Sequence, residues 1–218
     1  VKSTQGYSIK PDAAFRYEPP IRRTDETGIW QEGQKVLATL SWSKKKDIIR
    51  AEVTKTYGRS DSAKICADAI IDANGITVPF SEKALEEAAR LKKAGIQRKD
   101  LKNRLDLRDE LIFTIDGADA KDLDDAISVE KLENGWKLGV HIADVSHYVR
   151  EGSALDEEAF SRGTSVYFAD RVIPMLPTDI SNGLCSLNAG EDKLAFSAVI
   201  SLDQSGKIVS YSFQKTVI

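Results

Sequence analysis

Ten consecutive residues, Asp116 to Asp125, hold five carboxylates and one ammonium group, that of Lys121. Apolar residues flank them on both sides, in the segments Leu111–Ile115 and Ala126–Val129. Both segments have the composition of β-strands, which places the carboxylates on a loop and at the start of a strand. Carboxylates held close together raise one another's pKa unless they recruit a cation. The run therefore predicts either a site for a hard metal ion or an acidic loop in solvent.

The pattern of possible ligands narrows the choice of metal. An EF-hand loop that starts at Asp122 needs an oxygen ligand at its fifth position, where the chain has Ala126. The two histidines, His141 and His147, do not lie among cysteines at zinc-ligand spacing. Oxygen ligands alone suit Mg²⁺ or Mn²⁺. Several carboxylates that gather such ions are typical of phosphoryl transfer assisted by two metal ions.

The spacing of the carboxylates separates four of them from the fifth. In an extended strand, Asp122 and Asp124 share one face and Asp125 points away unless the backbone bends. Asp116 has to return through a turn to join them. Asp119 is then the carboxylate expected to face solvent.

Composition and charge fit a globular protein that handles a polyanion. The chain has 218 residues, 41% of them hydrophobic and 30% charged, and no apolar run approaches the length of a membrane span. Residues 1–115 have a net charge of +5 and residues 116–218 of −8, which suits a polyanion bound by one part and a metal by the other.

Cys66 and Cys185 are expected to be reduced thiols of a cytoplasmic protein. The chain begins with Val1, and its last residues still alternate like a strand, so we expect an excerpt of a longer protein.

Periodicity and turn signals predict an α+β chain in three parts. Residues 1–80, with two strands around a basic loop at Lys44–Lys46, suit a small β-barrel of the oligonucleotide-binding (OB) or cold-shock type. Residues 81–110 form a helical connector that opens with a helix capped by Ser81. Residues 111–218 are mostly β, with hairpins at Asn134-Gly135 and near residues 203–206.

Five motifs, in order along the chain, resemble the ribonuclease II/ribonuclease R family of RNB-domain exoribonucleases, and its bacterial ribonuclease R branch in particular. The motifs are Thr114–Asp125, His141–Tyr148, Arg162–Tyr167, Val172–Pro177 and Ser181–Asn188. The resemblance implies that residues 111–218 are the N-terminal part of a mixed α/β catalytic domain of the ribonuclease II type.

The resemblance also implies an activity and a set of site residues. The activity is processive, Mg²⁺-dependent 3′→5′ hydrolysis of single-stranded RNA to nucleoside 5′-monophosphates. The metal ligands fall on Asp116, Asp122, Asp124 and Asp125, and Asp124 is the catalytic carboxylate. Tyr167 falls where the family has an aromatic residue that stacks on the base at the RNA 3′ end. Single-stranded RNA is the expected partner of a cytoplasmic monomer that needs neither a membrane nor an obligate protein partner.

The resemblance further implies that parts of the family's machinery are missing, among them a later arginine, a second stacking aromatic residue and an S1 domain. Because phosphoryl transfer depends on positioned cations, we expect the isolated chain to be inactive or nearly so. Two alternatives remain open. In the first alternative, the chain is a single-stranded RNA-binding module without catalysis in isolation. In the second, it is part of a metal-dependent nuclease or phosphatase of other specificity.

Overall fold

A computed structural model describes residues 1–3, 6–12, 17–21, 30–43 and 48–218. The chain divides into two compact units, one made of Val1–Val78 with Phe168–Arg171 and the other of Pro79–Tyr167 with Val172–Ile218. No helix in the described ranges is long and apolar enough to cross a membrane.

The first unit contains two separate two-stranded antiparallel sheets and a helix. These elements are β1 (Lys2–Ser3), β2 (Gly6–Tyr7), β3 (Gln34–Ser43), β4 (Ile48–Arg59) and α1 (Ala63–Ala73). Strand β1 pairs with β2 and β3 with β4, and Ser62 caps α1 by accepting a hydrogen bond from the Ile65 N–H. The predicted small barrel is not evident among the described residues, because these strands form two sheets rather than a closed one. The basic loop Lys44–Lys46 lies outside the described residues.

The second unit has three α-helices, of which the first and the third begin at serine caps that were recognisable in the sequence. They are α2 (Glu82–Ala94), α3 (Val145–Tyr148) and α4 (Ala154–Arg162), with a π-helical segment at Asp179–Leu184. The Ser81 hydroxyl accepts a hydrogen bond from the Ala84 N–H at 3.3 Å, and Ser153 does the same for Asp156 at 3.2 Å. Helix α2 ends at Gly95, whose φ of 56° is unfavourable for other residues.

Seven strands belong to the second unit. They are β5 (Leu105–Asp106), β6 (Asp125–Leu132), β7 (Gly135–Ala143), β8 (Val166–Tyr167), β9 (Val172–Ile173), β10 (Leu194–Leu202) and β11 (Ile208–Val217). Five of them form one sheet in the order β5-β11-β10-β7-β6, antiparallel except for β5 beside β11. Strands β8 and β9 form a separate hairpin.

Two segments differ from the sequence-based expectation. Leu111–Ile115, predicted as a strand, forms only an isolated bridge between Phe113 and Ile127. Its alternate residues Leu111 and Ile115 are 84% and 79% exposed, whereas Ile112 packs against the core, so the segment is extended along the core but pairs at one point only. The charge-dense segment 96–110, predicted as part of a connector, contributes β5 to the sheet and buries Leu107.

The core of the second unit lies between its helices and the sheet. It is built from the buried residues Ala84, Ala88, Ala126, Ala143, Tyr148, Leu155, Ile180, Cys185, Leu187, Leu194 and Val217. Aromatic residues also remain exposed on the sheet, where Phe196 and Phe213 stack with their ring centroids 6.3 Å apart.

A chain of buried polar side chains crosses four adjacent strands of this sheet. Ser128 of β6, His141 of β7, Ser197 of β10 and Thr216 of β11 lie 3.1, 2.8 and 2.6 Å apart in turn, measured between hydrogen-bonding atoms. All four are buried, and His141 is fully enclosed. Buried polar groups need partners, so the chain of hydrogen bonds favours one pairing of the strands over its alternatives. It thereby helps to fix the register of β6, whose first residue is Asp125.

Candidate metal and RNA site

The carboxylate loop, Asp116 to Asp124, has no regular secondary structure, and Asp125 begins strand β6. The loop is nevertheless anchored at its end, because the Ala143 N–H donates a 3.0 Å hydrogen bond to the carbonyl oxygen of Asp124. Strand register then places Asp125 opposite Ile142 of β7. The start of β6 therefore sets where the last two carboxylates lie.

Ser186, just after the π-helical segment, holds the middle of the loop. It is fully buried, and its hydroxyl oxygen accepts a hydrogen bond from the Leu123 N–H at 3.0 Å and lies 3.0 Å from the carbonyl oxygen of Lys121. The Leu187 N–H donates to the carbonyl oxygen of Leu123 at 2.8 Å. These bonds fix the backbone on both sides of Asp122.

Electrostatics couples the four predicted metal ligands. The pKa of Asp124 is raised, first by burial and then by the charges of Asp122, Asp125 and Asp116, in that order. Asp119 is exposed and is not among the charges that raise it. The structure thus brings the charges of Asp116, Asp122 and Asp125 to bear on Asp124. Their role as metal ligands stays a prediction.

The residues at the loop fit a hard divalent cation by their chemistry. In the described part of the chain, no three His, Cys, Asp or Glu side chains are arranged around a common point as a metal requires. The donors near Asp124 are all oxygen atoms, the ligands that Mg²⁺ and Mn²⁺ prefer.

Tyr167 lies beside the carboxylate loop although it is distant in sequence. It is the second residue of β8 and is 66% exposed. Its hydroxyl donates a hydrogen bond to Oδ2 of Asp122 at 3.1 Å. That bond, followed by the charge of Asp122, raises the pKa of the Tyr167 phenol. The predicted base-stacking residue and a predicted metal ligand are therefore neighbours.

A buried ion pair supports the same end of the sheet. Arg104 and Asp144 are each 3% exposed in their side chains and lie 2.5 Å apart, and Lys215 contacts the same carboxylate oxygen at 3.2 Å. Arg104 also donates to the carbonyl oxygens of Ala195 and Thr216. Burial raises the pKa of Asp144, but the hydrogen bonds from Arg104 and Lys215 outweigh it and the pKa is lowered.

Sequence reasoning did not single out this pair or Ser186. Asp144 lies within the His141–Tyr148 motif and Ser186 within the Ser181–Asn188 motif, but neither motif shows which residues are buried. Arg104 was read as one more charge of a connector. Its burial comes from contacts with residues 40 to 112 positions away, which no local pattern reveals.

The sheet, the carboxylate loop and Tyr167 define the chain's class. The sequence profile described as the RNB domain matches residues 104–218, more than half of the chain. The chain therefore belongs to the RNB-domain family of ribonuclease II and ribonuclease R, as its motifs indicated. The match begins at Arg104, so it includes the buried ion pair.

Among curated relatives, ribonuclease R of Thermotoga maritima is 46% identical over 221 residues, which cover 100% of this chain and 31% of the relative. Ribonuclease R 2 of Lactococcus lactis is 44% identical over 193 residues, covering 88% of this chain and 29% of the relative. The chain thus spans about a third of the length of these relatives.

Solved structures of RNase R from Mycoplasma genitalium are also similar. The complex with ribose-methylated single-stranded RNA has a TM-score of 0.78 at 28% identity, covering 92% of this chain and 32% of that protein. The complex with double-stranded RNA has a TM-score of 0.79 at 28% identity, covering 94% and 36%. These neighbours confirm the mixed α/β fold of the RNB portion.

Proposed function

We propose that this chain carries the metal-binding part of the active site of a Mg²⁺-dependent exoribonuclease. The enzyme hydrolyses single-stranded RNA processively from its 3′ end and releases nucleoside 5′-monophosphates. The observation that carries the proposal is the convergence of three carboxylate charges on Asp124, next to an exposed tyrosine. Membership of the RNB-domain family and the likeness to RNase R bound to RNA support it.

In this proposal Asp116, Asp122, Asp124 and Asp125 hold the divalent cation or cations. A bound cation supplies positive charge that polarises the scissile phosphodiester and makes a water molecule more acidic. Asp124 is the carboxylate on which the charges of the other three converge, and we assign to it the role closest to the chemical step.

Tyr167 receives the RNA end. A tyrosine ring stacks on any base without sequence preference, since every base presents a π-face. Because Tyr167 is 66% exposed and its hydroxyl contacts Asp122, a base on its ring lies close to the carboxylates. The terminal phosphodiester is thereby brought toward the loop.

The remaining parts of the proposal concern the whole protein. It acts in the cytoplasm as a monomer, and a cold-shock-like OB domain within residues 1–80 assists RNA binding. Because the chain spans about a third of its relatives, the cationic groups that complete phosphoryl transfer lie elsewhere in the protein. The isolated chain binds metal and RNA but does not turn over.

The test compares Asp124→Asn with Asp119→Asn, a matched change of the fifth carboxylate of the same loop. Mn²⁺ is titrated into each chain and into the wild type by calorimetry, and oligo(A) with a free 3′ hydroxyl is titrated at saturating Mg²⁺. We expect Asp124→Asn to weaken Mn²⁺ binding by more than about tenfold. Loss of a group that only hydrogen-bonds to a metal ligand already lowers metal affinity that much, and Asp124 is itself a proposed ligand. Asp119→Asn is expected to bind as the wild type does.

The alternatives give different results in the same assays. RNA binding without any Mn²⁺ binding would favour a binding module without catalysis. In a protein that carries this chain together with the rest of the RNB domain, equal cleavage of RNA and of the matching DNA oligomer would favour a nuclease of other specificity. Processive release of mononucleotides by the isolated chain would contradict the proposal that the cationic groups of the active site lie elsewhere in the protein.

A further inference from the structure

We propose that the Tyr167 hydroxyl positions the Asp122 carboxylate for metal binding, so that one side chain serves both the RNA end and the metal site. The inference rests on the proposed function and deepens it. Tyr167 is a positioning residue in this role, because it acts on the metal through Asp122.

The contact divides the two oxygen atoms of Asp122 between two tasks. The Tyr167 hydroxyl donates to Oδ2 at 3.1 Å, which leaves Oδ1 without that donor. A carboxylate that rotates freely offers its oxygens in any direction, whereas one held by a hydrogen bond offers a defined lone pair. Hydrogen-bond partners of ligating carboxylates orient the ligands in this way and tune the metal site.

Both partners of the contact are held by the surrounding structure. On one side, Ser186 and Leu187 fix the backbone at Leu123, next to Asp122. On the other side, Tyr167 pairs with Val172 in the β8–β9 hairpin. The hydrogen bond thus joins two anchored segments that are 45 residues apart in sequence, and little conformational freedom is lost when it forms.

The hydroxyl and the ring of Tyr167 are free to act at the same time. The hydrogen bond uses only the phenolic oxygen, and the side chain remains 66% exposed. A base stacked on the ring does not displace the hydroxyl from Asp122. Because the two contributions use different atoms, substitution separates them: Tyr167→Phe removes the hydroxyl alone, and Tyr167→Ala removes the ring as well.

The experiment measures Mn²⁺ affinity by calorimetry, oligo(A) affinity by fluorescence anisotropy at saturating Mn²⁺, and the melting temperature in EDTA. The variants are Tyr167→Phe and Tyr167→Ala, with Tyr211→Phe as the matched control. Tyr211 is 67% exposed, and its ring contacts Phe213 on the sheet, so the control removes an equally exposed hydroxyl outside the proposed site. We expect Tyr167→Phe to weaken Mn²⁺ binding by about 10-fold to 100-fold, with oligo(A) affinity and melting temperature unchanged.

The remaining variants complete the expected pattern. Tyr167→Ala loses affinity for both ligands, and Tyr211→Phe loses neither. Wild-type Mn²⁺ affinity in Tyr167→Phe would overturn the positioning role and leave the proposed function standing. Absence of Mn²⁺ binding in the wild-type chain would overturn the metal site and the positioning role together. A lower melting temperature of Tyr167→Phe in EDTA would also overturn the inference, because it would show a general structural role.

Discussion

At the level of single residues, the Arg104–Asp144 pair has the largest expected effect on stability. Both side chains are 3% exposed, and the carboxylate meets two cations, Arg104 and Lys215. Removing one partner of such a pair leaves a charge in a poorly solvated place, which costs far more than the net contribution of the pair. The pair also ties the segment before β5 to the carbonyl oxygens of Ala195 and Thr216.

We predict that Arg104→Met lowers the free energy of unfolding by about 3–5 kcal/mol, because it leaves the buried Asp144 carboxylate with only the partly exposed Lys215 as its cation. Urea unfolding followed by circular dichroism measures the loss. The double variant Arg104→Met/Asp144→Leu is expected to lose less than the single one, since it buries no unpaired charge. A single variant within about 1 kcal/mol of the wild type would contradict the buried geometry.

The same pair predicts a pH dependence. The folded protein holds the pKa of Asp144 below its ordinary value, so the stabilisation is present above the pKa of the unfolded chain, about 3.9. It is lost as the pH falls through the lower pKa of the folded state. We predict that Asp144→Asn is less stable than the wild type at neutral pH and that the difference shrinks below pH ~4, as measured by urea unfolding at several pH values.

At the level of secondary structure, the buried polar chain across the sheet depends on a glycine. A Cβ atom at Gly139 would lie 2.4 Å from Oγ of Ser128 and 2.5 Å from Nε2 of His141. The bond between those two atoms therefore requires that residue 139 have no side chain. Burial lowers the pKa of His141 and so favours the neutral imidazole, and its two hydroxyl partners can each donate or accept as the tautomer demands.

We predict that Gly139→Ala lowers the free energy of unfolding by about 1–3 kcal/mol, the usual cost of forcing extra atoms into a packed interior. Gly183→Ala is the matched control, because its Cβ would meet nothing closer than Thr178 O at 3.8 Å. Thermal unfolding in EDTA measures both. Equal melting temperatures of the two variants would show that the polar chain has room to adjust.

Sequence patterns predicted elements where the signal is local. Ser81 and Ser153 marked the starts of helices, and the hairpin at Asn134-Gly135 was recognised from its turn. Leu111–Ile115 was predicted as a strand from its apolar residues, but only Phe113 pairs. A short apolar run says nothing about whether a partner strand lies within reach, and that depends on tertiary structure.

At the candidate site, too, sequence patterns predicted what is local and missed contacts between distant segments. The spacing of the carboxylates separated Asp119 from the others, which agrees with the charges that act on Asp124. The contacts of Ser186 with Leu123 and of Tyr167 with Asp122 join residues 63 and 45 positions apart. Neither contact follows from periodicity or turn chemistry, because both depend on how separate segments fold against the sheet.

At the level of the whole molecule, the chain has two units, and the proposed metal ligands lie in only one of them. The unit of Pro79–Tyr167 and Val172–Ile218 contains all four carboxylates and the core cluster. A ligand that binds only the folded state stabilises the unit that holds its site. Tryptophans report on each unit, since Trp30 and Trp42 belong to the first and Trp136 to the second.

We predict that Mg²⁺ raises the unfolding temperature reported by Trp136 and leaves that reported by Trp30 and Trp42 unchanged. Thermal unfolding is followed by fluorescence in Trp30→Phe/Trp42→Phe, which reports on the second unit, and in Trp136→Phe, which reports on the first. At 100 times the dissociation constant the stabilisation is about 2.7 kcal/mol. Adding Asp122→Asn should abolish the shift, because it removes a proposed ligand. Equal shifts in both reporters would instead mean that the units unfold together, and a shift confined to Trp136→Phe would place the cation in the first unit.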